Sequence, residues 1–98
     1  MHKRILVAVD GSPTSEAALA EAVAAAAGSD ATLRLVHVVD SPYSYPDVLY
    51  GQVAADLDGV RRAWRQAGEE ILAKAGARAR EAGVAVEPAL LESDGRRV

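Results

Sequence analysis

Residues Arg4 to Thr14, RILVAVDGSPT, decide how this chain folds. Ile5, Leu6, Val7, Ala8 and Val9 form an uninterrupted apolar run, the pattern of a strand buried on both faces of a parallel sheet. Asp10-Gly11 breaks the run. Ser12-Pro13 then supplies an N-cap side chain followed by proline at the first helical position, where a missing N–H costs nothing. A strand that enters a helix through a tight turn is the first half of a βαβ unit. In open parallel sheets ligands bind outside the carboxyl ends of the strands, and Asp10 falls at such an end.

Beyond this stretch, helix-formers run from Pro13 to Ala27, with Leu19 and Val23 one turn apart and Gly28 placed as a C-terminal stop. Ala31 to Val39 (ATLRLVHVV) reads as a second strand, joined to the first by a right-handed crossover. Asp40 to Ala55 has the composition of a loop and carries every tyrosine of the protein, Tyr43, Tyr45 and Tyr50; long loops in small domains tend to be functional or mobile. A second helix is expected from about Leu57 to Ala82, capped by Asp56 or Asp58. Val60, Trp64, Ala67, Ile71 and Ala75 recur at helical spacing, so the lone tryptophan is expected to pack on the sheet. Gly68 and Gly76 weaken this helix by about 1 kcal/mol apiece relative to alanine, and Gly83 ends it. Val84 to Leu91 (VAVEPALL) is a third strand, placed at an edge because Pro88 cannot donate to a ladder.

With 98 residues there is room for one domain (residues 1–98) with a modest core, built from Ala, Val, Leu and Ile because the chain has no Phe. A net charge of −3 gives no basic face for nucleic acid. No cysteine is present, which removes disulfide and thiolate chemistry, makes a zinc site on two histidines untenable and fits a reducing cytoplasm. The apolar start is cut by Asp10 before it reaches the length of a signal segment, and no stretch approaches the ~20 apolar residues of a membrane span.

The order strand, Asp-Gly-Ser, helix, strand with His37-Val38-Val39, long loop, helix, strand resembles the N-terminal part of universal stress proteins of the UspA type. The residues that carry the resemblance are ILVAVDGSPTSEAALAEAVAAA, LRLVHVVD and EAGVAVE, and it extends across essentially the whole chain. It implies an open, Rossmann-like α/β sheet of the adenine-nucleotide alpha-hydrolase type with strand order 3-2-1-4-5, here reduced to about three strands and two helices. It also implies ATP binding, with Mg2+ only alongside the nucleotide, and dimerisation. By the same resemblance Asp10 faces the adenosine end of the nucleotide, Ala8 and Val9 form the neighbouring wall, and the backbone at Val38 meets adenine. The family's Gly-x-x-Gly motif, whose amides cradle the phosphates, has no counterpart among the eight glycines. Nor is there a P-loop, since Gly11-Ser12 lacks the Gly-Lys-Ser/Thr sequence. The chain therefore holds half a nucleotide site, and binding is expected to be impaired.

Each assignment competes with a plainer one. Asp10 also serves as a turn residue whose carboxylate accepts from nearby backbone N–H groups. Ser12 on the phosphate side competes with Ser12 as a helix cap, and the cap explains it fully. His37, alone in an apolar strand, is read as a satisfied core histidine and not as a base. With no base or pair of metal-binding carboxylates in view, the expectation is a nucleotide-binding stress-response module with at most slow ATP hydrolysis. The alternative is an assembly module that works without nucleotide. Without a fourth and fifth strand the first strand becomes an edge, and its apolar, unpaired backbone is a template for self-association as a homodimer or higher. A receiver-like signalling domain is set aside: it needs an acidic cluster, and only Glu92 and Asp94 stand opposite Asp10.

Overall fold

In the computed structural model, which describes residues 3–40 and 57–93, the chain runs β1 (Arg4–Ala8), α1 (Pro13–Ser29), β2 (Thr32–Val39), α2 (Leu57–Glu81) and β3 (Val86–Glu92). The three strands form one sheet in the order β1-β2-β3, both pairs parallel, with Val7 beside Leu35 and Leu35 beside Pro88. This is the open α/β layer expected from the opening stretch. The tyrosine-bearing loop, Asp56 and Asp94 lie outside the described residues.

Local chemistry accounts for the helix ends. Ser12 is extended (φ −76°, ψ 161°) and its Oγ accepts from the Ser15 N–H, with Pro13 next as the first helical residue. At the other end Gly28 does not stop α1. The helix runs through it to Ser29, and Asp30 takes the left-handed conformation at φ 56°, one that aspartate tolerates better than most side chains. The end of α2 follows expectation: Gly83 has φ +77°, its N–H donates to Arg80 C=O at 2.9 Å, and the Val84 N–H reaches Ala79 C=O at 3.0 Å. Those two bonds are a Schellman motif. Asp58 lies in the first turn of α2, where a negative charge suits the helix dipole.

Both helices lie on the same face of the sheet. Ile5, Val7 and Val9 of the opening run, Leu33 and Leu35 of β2, and Val86 and Leu90 of β3 share one core with Leu19 and Ala26 of α1 and Leu72, Ala75 and Ala79 of α2. Two successive right-handed crossovers that step the same way along a sheet must pass on the same side. The opposite face is bare of helices among the described residues: Leu6 is 69% and Val38 50% exposed, although Ala89 of β3 on the same face is buried. Burial of the first strand on both faces is thus not what the structure shows. β1 is core on its odd positions and open on its even ones.

Two polar features tie α2 down. Arg61 donates through Nε to Glu92 Oε1 at 3.0 Å and also through Nη2, closing an ion pair with a carboxylate at the buried end of β3. Arg78 pairs with Glu16 of α1 at the surface. Gly68, which helix propensity alone marks as a weak point, has a packing reason: a Cβ built there would lie 2.6 Å from His37 Cδ2 and 2.9 Å from Leu90 Cδ1. The absent side chain lets α2 settle on β2 and β3.

Candidate functional site at the carboxyl ends of the strands

The turn between β1 and α1 is held by its own side chains. Asp10 Oδ1 accepts from the Ser12 N–H at 2.8 Å, the Asp10 N–H donates to Ser15 Oγ at 3.0 Å, and the Ser15 N–H donates to Ser12 Oγ at 3.2 Å. Gly11 sits between them at φ +81°, a conformation that side-chain-bearing residues avoid. The turn therefore needs Gly11 for its backbone and Asp10 for its closing bond. The Asp10 carboxyl remains exposed, and the Ser12 hydroxyl and backbone N–H hold its pKa below the ordinary aspartate value. It is ionised at neutral pH.

β2 reaches this turn through His37. Its Nδ1 lies 2.7 Å from the Val9 carbonyl, so that nitrogen carries the proton and donates to a carbonyl at the end of the opening run. The Val9 N–H in turn donates to Val36 C=O at 2.8 Å. His37 is a half-buried, hydrogen-bonded strut between the first two strand ends. Val9 itself is 4% exposed and belongs to the core; it offers a ligand no side-chain surface.

Ala8 and Val38 lie on the bare face. Ala8 pairs with Val36, Val38 follows Val36 by two residues, and both are exposed. Ala8 and Val38 thus stand on one sheet face toward the strand ends, Val9 turns inward, and Asp10 follows past the end of β1 with its exposed carboxylate bonded to the Ser12 N–H. Ser12 is half-buried with its Oγ used as a cap. Glu92, one of the acidic residues of the receiver-like alternative, is engaged by Arg61.

Trp64, expected to pack on the sheet, lies at the end of β2 but is only partly covered: the residue is 38% exposed and lines a hollow of about 330 Å³ with His37, Val38, Val39, Asp40 and Ala67. The signal was available in the helix's own spacing: the core-facing positions are Gly68, Leu72, Ala75 and Ala79, and Trp64 lies one turn beyond, where α2 passes the end of β2. Another depression, of about 560 Å³ on the bare face, is lined by Arg4, Leu6, Ala8, Arg34, Val36 and Leu91. Among the described residues no three His, Cys, Asp or Glu side chains come together to hold a metal ion, and no helix is long and apolar enough to cross a membrane.

The universal stress protein family model matches residues 1–98. Among solved structures, a protein from the universal stress protein family of Burkholderia pseudomallei is 36% identical, with a TM-score of 0.78 over 97% of this chain and 66% of that one. A universal stress protein family protein from Arabidopsis thaliana with AMP bound is 21% identical, with a TM-score of 0.64 over 95% of this chain and 63% of that one. A universal stress protein in complex with cAMP is 24% identical, with a TM-score of 0.57 over 94% of this chain and 55% of that one. At those last two identities the likeness is one of fold. This chain spans about two thirds or less of the length of each of these three structures. No curated protein sequence matches it.

Proposed function

The chain belongs to the universal stress protein family, and on that premise we propose that it is a cytoplasmic stress-response module that takes the adenosine end of an adenine nucleotide at the carboxyl ends of β1 and β2. The observation that carries this reading is an exposed, ionised Asp10 just past the end of β1, tied to β2 by the His37–Val9 bond, next to a strand end where Val38 borders a hollow walled by Trp64. A carboxylate suits ribose hydroxyl donors, and a half-exposed indole beside a strand end suits a flat base. Related structures solved with AMP and cAMP support the ligand class.

The residues present fit one end of ATP and not the other. The chain has no Gly-x-x-Gly, and the Ser12 hydroxyl, the one candidate on the phosphate side, already accepts from the Ser15 N–H. ATP should therefore bind weakly, with Mg2+ arriving only on its phosphates, and hydrolysis, if any, should be slow.

Trp64 is the only tryptophan, so its emission is a single-site reporter. Titration with ATP, adenosine and ribose 5-phosphate, followed by Trp64 fluorescence and by calorimetry, tests the proposal. ATP and adenosine should bind with similar affinity and quench Trp64, and ribose 5-phosphate should not. Asp10→Ala should weaken binding about tenfold or more, the scale of one hydrogen bond to a charged group. No heat and no change in emission at about 1 mM ATP, the −4 kcal/mol level, would refute it.

A further inference from the structure

An interior glycine weakens a helix, and Gly68 has its packing reason in His37 and Leu90. Gly76 has a different one. It is buried, and the three heavy atoms nearest to a Cβ built there all belong to the Arg80 guanidinium: Nη1 at 3.2 Å, Cζ at 3.6 Å and Nη2 at 3.7 Å. Arg80 thus folds back along α2 by one turn, and its head lies over the bare backbone of Gly76.

That head borders a hollow of about 400 Å³ between α2 and β3. Leu72, Ala73 and Gly76 form the helix side of the hollow, and Pro88 and Leu90 form the strand side. A Cβ at Gly68 would meet Leu90, whereas the Ala79 carbonyl accepts from the Val84 N–H just before β3. α2 therefore runs antiparallel to β3, with Glu69 at the Leu90 end of the hollow and Arg80 at the other. At ~1.5 Å of rise per residue the two stand about 16 Å apart along the helix. Neither charge is answered: among the described residues no cation pairs with Glu69 and no carboxylate with Arg80.

The hollow opens beside β3, which pairs with β2 alone. In the strand order that the family resemblance implies, 3-2-1-4-5, further strands join beside β1, at the far side of the sheet, and β3 stays outermost. Pro88 blunts this edge, because its ring fills the place of the outward N–H at the middle of β3. A strand cannot zip along it, so an occupant has to be held by its side chains.

From these features we infer that the groove between α2 and β3 docks an extended peptide segment of a partner protein, with a basic side chain at Glu69, an apolar one in the hollow and an acidic one at Arg80. In an extended chain, residues i, i+2 and i+4 point to one side. Positions i and i+4 lie about 13 Å apart, and flexible charged side chains cover the remaining reach. Opposite charges at the two ends of the groove match a dipolar segment at both ends, whereas a carboxylate on an apolar tail answers Arg80 alone. The inference is separate from the nucleotide reading, since this groove shares no lining residue with the Trp64 hollow.

The test is fluorescence anisotropy of a dye-labelled, capped pentapeptide of lysine, alanine, leucine, alanine and glutamate, made in both chain directions and titrated with the 98-residue protein. At least one direction should bind below about 1 mM, and no binding of either at that concentration would overturn the proposal. Changing the peptide glutamate to lysine should weaken binding about fivefold or more, the upper scale of one exposed ion pair with repulsion added. Arg80→Glu should recover the binding of that all-basic peptide, and failure to recover it with unchanged far-UV circular dichroism would refute the Arg80 contact. Ala73→Leu fills the hollow and should weaken the original peptide severalfold; an unchanged affinity would place the peptide elsewhere. Octanoate is the rival occupant: octanoate that binds where neither peptide does would sink the peptide assignment.

Discussion

Replacing Gly68 by alanine sets two physical effects against each other. Helix propensity favours the change: removing an interior glycine from α2 should stabilise by about 1 kcal/mol. Packing opposes it. The new methyl group would stand 2.6 Å from His37 Cδ2, 3.1 Å from His37 Nε2 and 2.9 Å from Leu90 Cδ1. Leu90 can swing its terminal methyl aside, but the His37 ring is anchored by its 2.7 Å bond to the Val9 carbonyl. Relief then requires α2 to lift off the sheet or the imidazole to give up that bond. Overpacking of this kind costs about 1–3 kcal/mol, and loss of the hydrogen bond adds about 0.5–1.5 kcal/mol. The expected net effect of Gly68→Ala is destabilisation by about 1–3 kcal/mol. Gly28→Ala is the control: nothing lies within 4 Å of a Cβ there and its φ is not positive, so that change should stabilise by about 0.4–1 kcal/mol. Urea midpoints at fixed protein concentration and unchanged slope would measure both. If Gly68→Ala raised the midpoint as Gly28→Ala does, the close approach of α2 to His37 would not exist as described.

Other consequences follow from the polar contacts. The folded-state pKa of Asp10 is depressed, so the stability linked to its ionisation is present above the ordinary aspartate pKa and lost as pH falls through the depressed value. Comparing urea midpoints down to strongly acid pH, Asp10→Ala should show a shallower acid loss than the wild type, and identical pH profiles would refute the Asp10–Ser12 bond. Arg61→Ala removes the guanidinium from Glu92, whose residue is 9% exposed. Because the arginine side chain is itself 35% exposed, the loss should fall below that of a fully buried pair, at about 1–3 kcal/mol. A midpoint shift under a few tenths of a kcal/mol would place that ion pair among the inconsequential surface ones.

Much of the fold was legible because its signals are local. Asp10-Gly11-Ser12-Pro13 encodes a turn and a cap within four residues, and both form as read, down to Ser12 Oγ on the Ser15 N–H. Pro88 marked an edge strand, and β3 is one; the Leu33-to-Ala85 and Ser93-to-Val39 bonds put the peptide groups of odd-numbered residues toward β2, so the missing N–H of Pro88 faces outward. Gly28 misled because a left-handed cap can be taken by a nearby aspartate as well as by glycine. At the site, the opening run is apolar at every position and so does not show which face is covered; the resemblance set Ala8 and Val9 on one wall, whereas the pleat of the strand sends their side chains to opposite faces, Ala8 exposed and Val9 buried.

Sequence alone determined the strand–turn–helix order and the position of Asp10 at a strand end, because each depends on residues within a turn or two of one another, and the parallel pairing, because a helix between consecutive strands makes the connection a crossover. Tertiary structure alone decided that both helices share one face, that Leu6 and Val38 stand open on the other, that Gly68 is a packing necessity and that Trp64 walls a hollow. Those outcomes depend on which distant segments meet, as His37 meets both Val9 and Gly68, and no local propensity records a contact made across the chain.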